Sequence, residues 1–300
     1  MKKKSNPIEV PDRFKRELAS ADMTPIRGSA HFKHSVNIGD LYAAMGAMKE
    51  FYDSTGRKVI LFQSTNTKAA YYPGASHPTV NSVGENVCMN EPMFEMVKPL
   101  VESQEYIDSM HPYNGQQIHV DLDVIRGKTK VNLPHGAIQG WISLAIPDLA
   151  FDMTKPWITL DKKTCPPHIR KQAKGKIILN FTERYRNTFI DYFFLKKFMP
   201  ELAFIGTEKE YWLFCNQWQL SIPRIEVANF LELGHVLQES RFLLSNQSQG
   251  WNLAEAMKTP RILEICEFAQ NCIHMVGKHS YGFLHQGGVE YYVRKMYNIT

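Results

Sequence analysis

Short apolar runs that end in polar or glycine turns, each followed by a stretch with helical spacing, recur along this chain. Lys58-Val-Ile-Leu-Phe62 is one such run and Gln117 to Val124 another; a later series holds Lys176 to Asn180, Leu202 to Gly206, Phe242 to Ser245 and Arg261 to Ile265. Helical segments fall at Leu41 to Tyr52, Phe189 to Met199, Ala228 to Glu239, Trp251 to Met257 and Gly287 to Met296. Strand, turn and helix in alternation predict parallel sheets covered by helices. The alternation breaks at Asp161-Lys-Lys-Thr-Cys-Pro-Pro-His168, where two prolines and several charges interrupt it. The pattern therefore predicts an α/β protein of two Rossmann-like domains facing a cleft, residues 1–165 and 166–300. Tyr71 to Pro92, rich in Pro, Gly, Ser and Asn, reads as long loops over the functional face.

The first strand–turn–helix step carries the most chemistry. Phe32-Lys-His-Ser-Val-Asn-Ile-Gly-Asp40 runs directly into a helix, so Asp40 falls in the first helical turn, where the helix dipole favours a carboxylate and a ligand above the strand ends can reach it. An aspartate there is also an ordinary cap.

A chain of 300 residues, 44% hydrophobic, can bury the core of two such domains. Its net charge of +5 is compatible with phosphorylated or polyanionic partners without requiring them. Met1-Lys-Lys-Lys4 lacks the apolar segment of a signal peptide, and no run of about twenty apolar residues occurs, so a cytoplasmic protein without a membrane span is expected. The five cysteines are scattered with no C-x-x-C pair, which argues against a disulfide framework and a zinc knuckle.

Asn37-Ile-Gly-Asp40-Leu with its alanine-rich helix, and Ser245-Asn-Gln-Ser248 leading into Asn252-Leu-Ala-Glu-Ala-Met-Lys-Thr-Pro260, resemble the two ends of the heptosyltransferase-type (family 9-like) glycosyltransferases of the GT-B fold. The match is nearest to their uncharacterised bacterial and phage-borne relatives, with a Lys-His-Ser…Gly-Asp start, an Arg-Tyr pair after the middle strand and an Asn-Gln-Ser turn. It covers residues 32–62 and most of the second half, and leaves 63–160 unmatched. The resemblance implies sugar transfer from a nucleotide-activated donor, with Asp40 as the base, Glu255 as a candidate for the donor ribose, and a glycan or a modified phage DNA base as acceptor. Where the family carries Asp-Thr-Gly and a following His, this chain has Gln247, Ser248 and Gln249, then Asn252.

The chemistry supports the same roles. An inverting transfer needs one carboxylate to take the acceptor's proton, and cations or helix N-termini to receive the charge of the departing diphosphate. Thr182, Arg184 and Arg186 follow the strand ending at Asn180, and Gly206 ends the next one; the amides from Ser248 to Trp251 open a helix. Asn246, Gln247, Ser248 and Asn252 lie where the donor would pass, and His34, Ser35, Asn37 and Gly39 form the acceptor-side loop. Each has a plainer reading: Arg184 and Arg186 as surface arginines, Glu255 as a solvated helix face, 245–247 as turn chemistry. Asp121-Leu-Asp123 looks like an Asp-x-Asp metal site, yet it alternates within a strand pattern and reads as the polar face. The pairs His31/His34 and His111/His119 lack a third ligand, so neither metal nor cofactor is expected beyond the nucleotide-diphosphate sugar. The alternative is a non-enzymatic nucleic-acid- or nucleotide-binding protein, in which Arg184-Tyr-Arg186 and Tyr291-Tyr-Val-Arg-Lys-Met-Tyr297 stack on bases and pair with phosphates.

Overall fold

A computed structural model describes residues 28–69, 78–126 and 136–299. In the first half, β1 (Ala30–His34), α1 (Ile38–Thr55), β2 (Val59–Gln63), α2 (Glu91–Glu102), β3 (Ile107–Pro112) and β4 (Val120–Asp121) build a parallel sheet of order β3-β2-β1-β4. After α3 (Ile138–Ala145) and α4 (Pro167–Ala173) come β5 (Ile177–Asn180), β6 (Leu202–Ile205), α5 (Glu208–Trp218), β7 (Arg224–Ile225), α6 (Phe230–Glu239), β8 (Phe242–Asn246), α7 (Gln249–Met257), β9 (Arg261–Glu264), β10 (Ser280–Phe283) and α8 (Gln286–Ile299). Their strands form a second parallel sheet of order β10-β9-β8-β5-β6-β7.

Numbered within its own half, the second sheet reads 6-5-4-1-2-3, and the first reads 3-2-1-4, the same winding without its last two strands. Strand order reverses between β1 and β4 and between β5 and β8. At such a point the connections leave in opposite directions and open a crevice beyond the carboxyl ends of the strands. Every position along β5, β6, β8 and β9 is buried, as parallel strands covered on both faces require. That is why they stand out in the sequence as nearly unbroken apolar runs.

Helix α1 starts at an extended Asn37 and stops at Gly56, which is left-handed (φ +68°) and donates its amide to the Tyr52 carbonyl. It packs on α7, and α2 packs on α6, so one hydrophobic core runs from the first sheet into the second. A second core behind the second sheet holds Phe181, Tyr192 and Phe214, together with Val289, Val293 and Met296 of α8. The connection around Trp157 stitches the halves. Its indole donates to the Tyr42 carbonyl (2.7 Å), its carbonyl accepts from Tyr106 Oη (2.7 Å), and its amide donates to the Ala256 carbonyl (3.0 Å). No helix among the described residues is long and apolar enough to cross a membrane.

Several elements differ from the expectations. The strand expected over 117–124 is only Val120–Asp121, because Asp121 Oδ1 accepts from the Asp123 amide (2.9 Å) and turns the chain into a 3₁₀ turn over Leu122–Arg126. The aromatic segment 189–199 is a 3₁₀ stretch over Phe193–Glu201, with Pro200 near its end. Strand β10 (Ser280–Phe283) lies where the pattern predicts no element. Part of the loop expected over 71–92 and all of 127–135 lie outside the described residues.

Candidate active site

Both reversal points open into one cleft of about 1480 Å³. One wall carries Ser35, Asn37, Gly39 and Asp40 from the β1–α1 turn and Arg126 from the turn after β4; the other carries Thr182 and Arg184 after β5, Gly206 after β6, and Gln247, Ser248 and Asn252 at the start of α7. The walls touch: a Cβ placed on Gly39 would lie 2.8 Å from Asn252 Nδ2. Any larger residue at position 39 would force the Asn252 side chain to shift, so glycine lets the N-termini of α1 and α7 come this close.

The Asp40 carboxylate pairs through Oδ1 with the Arg126 guanidinium. Behind it, His34 is buried, bonds through Nδ1 to Gln63 Oε1 (2.8 Å), and sits in a small void bordered by Asp40, Asp123 and Arg126 rather than in the cleft. Burial favours the neutral ring and pushes the His34 imidazole below its ordinary value, against the opposite pull of the Asp123 carboxylate. Ser35 donates through its amide (3.1 Å) and hydroxyl (2.6 Å) to Asp123. Lys33 lies 3.0 Å from Asp121 and 3.2 Å from Asp123, so both carboxylates of the Asp-x-Asp pattern are held by a cation.

On the facing wall, the Asn246 side chain is buried and shapes the loop after β5. Its Oδ1 accepts from the Thr182 amide (3.0 Å), and its Nδ2 donates to the Arg184 carbonyl (2.6 Å). Gln247 turns its side chain away, receiving the Cys266 amide (2.6 Å) and donating to the Ala269 carbonyl (2.5 Å). Ser248 caps α7 by accepting from the Trp251 amide and donates to Asn180 Oδ1 (2.8 Å). The first turn of a nine-residue helix thus faces the cleft with its amides and the positive end of its dipole. Asn252 donates Nδ2 to the Ser248 carbonyl (3.1 Å).

Two expected donor residues are placed elsewhere. Arg186 Nε lies 2.9 Å from Glu264 Oε1, with its guanidinium against Phe181 and Phe214; Tyr185, in the left-handed region (φ +53°), turns it away from the cleft that Arg184 enters. Glu255, expected at the donor ribose, is buried between Arg261 and Lys258 (2.5 Å to Lys258 Nζ). Neither residue lines the cleft, because a buried charge is held by its counter-ion. Asn246 also stays outside the lining and acts through the loop it holds. On α8, Tyr292 stacks on Tyr281 (4.8 Å) and Lys295 covers the same ring (4.7 Å), so these aromatic faces are spent on packing rather than offered to bases.

The sequence reading missed Arg126, Asn180, Trp141, Lys68 and Met93, all on the cleft. Asn180 ends β5 and could have been found by the strand-end rule; the rest lie in the stretch between residues 63 and 160 that matched nothing. Cys88 and Cys272 also line the cleft, with burial pushing their thiols up to about 11 and about 12. They are neutral and poor nucleophiles. Among the described residues no group of three His, Cys, Asp or Glu could hold a metal ion.

The fold is the GT-B fold. Heptosyltransferase WaaC of E. coli with ADP superposes with a TM-score of 0.59 at 10% identity, over 89% of this chain and 99% of that one. A glycosyl transferase family 9 protein from Veillonella parvula DSM 2008 gives 0.54 at 9% identity (93% and 92%), and E. coli ADP-heptose lps heptosyltransferase II gives 0.54 at 9% (90% and 98%). No family model matches the chain, and no curated protein matches it by sequence. In GT-B terms, the α1 wall belongs to the first domain and the α7 wall to the second.

Proposed function

We propose that this chain is a glycosyltransferase that moves a sugar from a nucleotide-diphosphate donor to an acceptor hydroxyl, with inversion and without a metal ion. The observation that carries the reading is the meeting of the two reversal points: Asp40 on one wall, the amide end of α7 with Arg184 on the other, in one cleft. The same fold in a heptosyltransferase solved with ADP and ADP-2-deoxy-2-fluoro heptose supports a nucleoside-diphosphate donor.

Asp40 accepts the proton of the acceptor hydroxyl as its oxygen attacks the anomeric carbon. The bond from that carbon to the diphosphate oxygen breaks, and its electron pair stays on the leaving group. Thr182, Arg184 and the first amides of α7 receive that charge, which grows in the transition state and so rewards donors fixed in advance. Asn246 and Gln247 hold the loops that carry these groups. Gly206, Asn37 and the rest of the 34–39 turn shape the two sides, and a glycan or a DNA base carrying a hydroxyl is the acceptor class. We place the domain division near residue 165 and the enzyme in the cytoplasm.

Thermal shift against ADP-, UDP-, GDP- and dTDP-sugars tests the donor, because a ligand of the folded state raises the melting temperature. Asp40→Asn is expected to keep that rise and to lose turnover by roughly 10²–10⁴-fold, since the amide takes no proton. Near-normal turnover by this variant would end the assignment of Asp40 as the base.

A further inference from the structure

The β1–α1 turn is fastened at both ends to a single 3₁₀ turn. At its start, Ser35 gives its amide and hydroxyl to Asp123 (3.1 and 2.6 Å); at its end, Asp40 pairs with Arg126. Asp123 and Arg126 are three residues apart in the turn Leu122–Arg126. Residues at that spacing eclipse one another in a 3₁₀ helix, so one face of the turn presents both a carboxylate and a guanidinium. That face meets a strand-to-helix turn offering the complementary groups in the same order. Lys33, on β1, anchors Asp123 from the other side (3.2 Å), and the Asp121 carboxylate caps the start of the 3₁₀ turn.

The pair at the cleft end is only partly buried, with side-chain exposures of 33% for Arg126 and 16% for Asp40. An ion pair in that setting contributes little to stability. Its geometry says more than its energy does. Arg126 takes Asp40 Oδ1, and no hydrogen bond to Oδ2 is seen among the described residues. One carboxylate oxygen is held by Arg126, and Asp40 lines the cleft.

On the transferase reading above, we propose that Arg126 is a positioning residue for the base. By holding Oδ1 it aims Oδ2 at the attacking hydroxyl, and Ser35 with Asp123 keeps the turn from carrying Asp40 away. Arg126 acts through Asp40 and not on the donor. Its removal should therefore cost turnover and leave donor binding alone, on the order of the 10²-fold that misplacing a catalytic group by about 1 Å can cost.

The test uses whichever nucleotide sugar of the four-nucleotide panel raises the melting temperature most, with release of the nucleoside diphosphate to water as the readout. Arg126→Ala should lower kcat on the order of 10²-fold with KM and thermal shift unchanged. Millimolar guanidinium chloride, against sodium chloride of equal ionic strength, should restore part of that loss. In the Asp40→Asn background, Arg126→Ala should cause no further loss, because groups that act as one unit are not additive. Arg126→Gln serves if the alanine variant does not fold. A raised KM with unchanged kcat would make Arg126 a donor ligand, and losses that multiply in the double variant would show that it acts independently of Asp40; either result overturns the proposal. If no nucleotide sugar raises the melting temperature, the transferase reading fails, and the role of Arg126 with it. A clear rise with unaltered kcat in Arg126→Ala removes the positioning role alone.

Discussion

Arg184 and Arg186 show how one backbone angle decides a role. Two residues apart in an extended segment, their side chains should share a face, and the sequence invited both onto the diphosphate. Tyr185 at φ +53° breaks that alternation, sending Arg184 into the cleft and Arg186 to Glu264, where the Tyr192 hydroxyl (2.5 Å) and the Asn187 amide (2.7 Å) converge on the same carboxylate. The two alanine variants should therefore part company. Arg186→Ala leaves Glu264 as a fully buried, unpaired charge and is expected to cost about 3–5 kcal/mol in chemical denaturation, with nucleotide affinity of the folded protein unchanged. Arg184→Ala should do the reverse, leaving stability near wild type and weakening nucleotide binding by about 1.5–3 kcal/mol in calorimetry. Equal stability losses in both would return them to a common structural role.

At the scale of elements, what the sequence disclosed depended on burial. β5, β6, β8 and β9 are covered on both faces and read as apolar runs, and α7 follows its Ser-Asn-Gln-Ser turn directly, so four strands of the second sheet and the start of α7 were legible. α2 and the 3₁₀ turn bearing Arg126 were not, since the first carries Pro92 and Pro99 and the second sits inside what looks like an alternating strand. The α7 wall rests on a contact no spacing announces: a Cβ on Gly250 would overlap Asn180 Oδ1, while Asn180 Nδ2 donates to the Ile205 carbonyl (2.8 Å) and its Oδ1 accepts from Ser248 (2.8 Å). Asn180 thus ties β5, β6 and the cap of α7 together. Gly250→Ala is expected to destabilise by about 1–3 kcal/mol through overpacking, and to weaken nucleotide binding as the first turn of α7 shifts. Urea denaturation and calorimetry on the same sample check both; an alanine tolerated on both counts would show that the Asn180 contact does not set the helix start.

At the scale of the molecule, a shared core makes the two halves one unit against acid. Each half buries a neutral histidine: His34 under the Asp40 wall, and His274 beside Trp251, where burial, with Arg261 and Lys258 adding to it, pushes the imidazole down to about 3. A folded-state value below the ordinary 6.5 means that the unfolded chain takes up the proton first. The contribution is intact above about pH 6.5 and is lost as the pH falls from there toward 3, where the folded state also protonates. The urea midpoint should therefore drop from pH 7 to pH 4.5 at a constant m-value, in one transition, because the core built by α1 with α7 and α2 with α6 belongs to both halves. His274→Gln should lower stability at pH 7 yet flatten this acid limb, since glutamine has no proton to take up. A midpoint in the glutamine variant that falls as steeply as in the wild type would assign the limb to carboxylates instead. Two separate transitions would show that the stitching at Trp157 and the paired helices do not couple the halves.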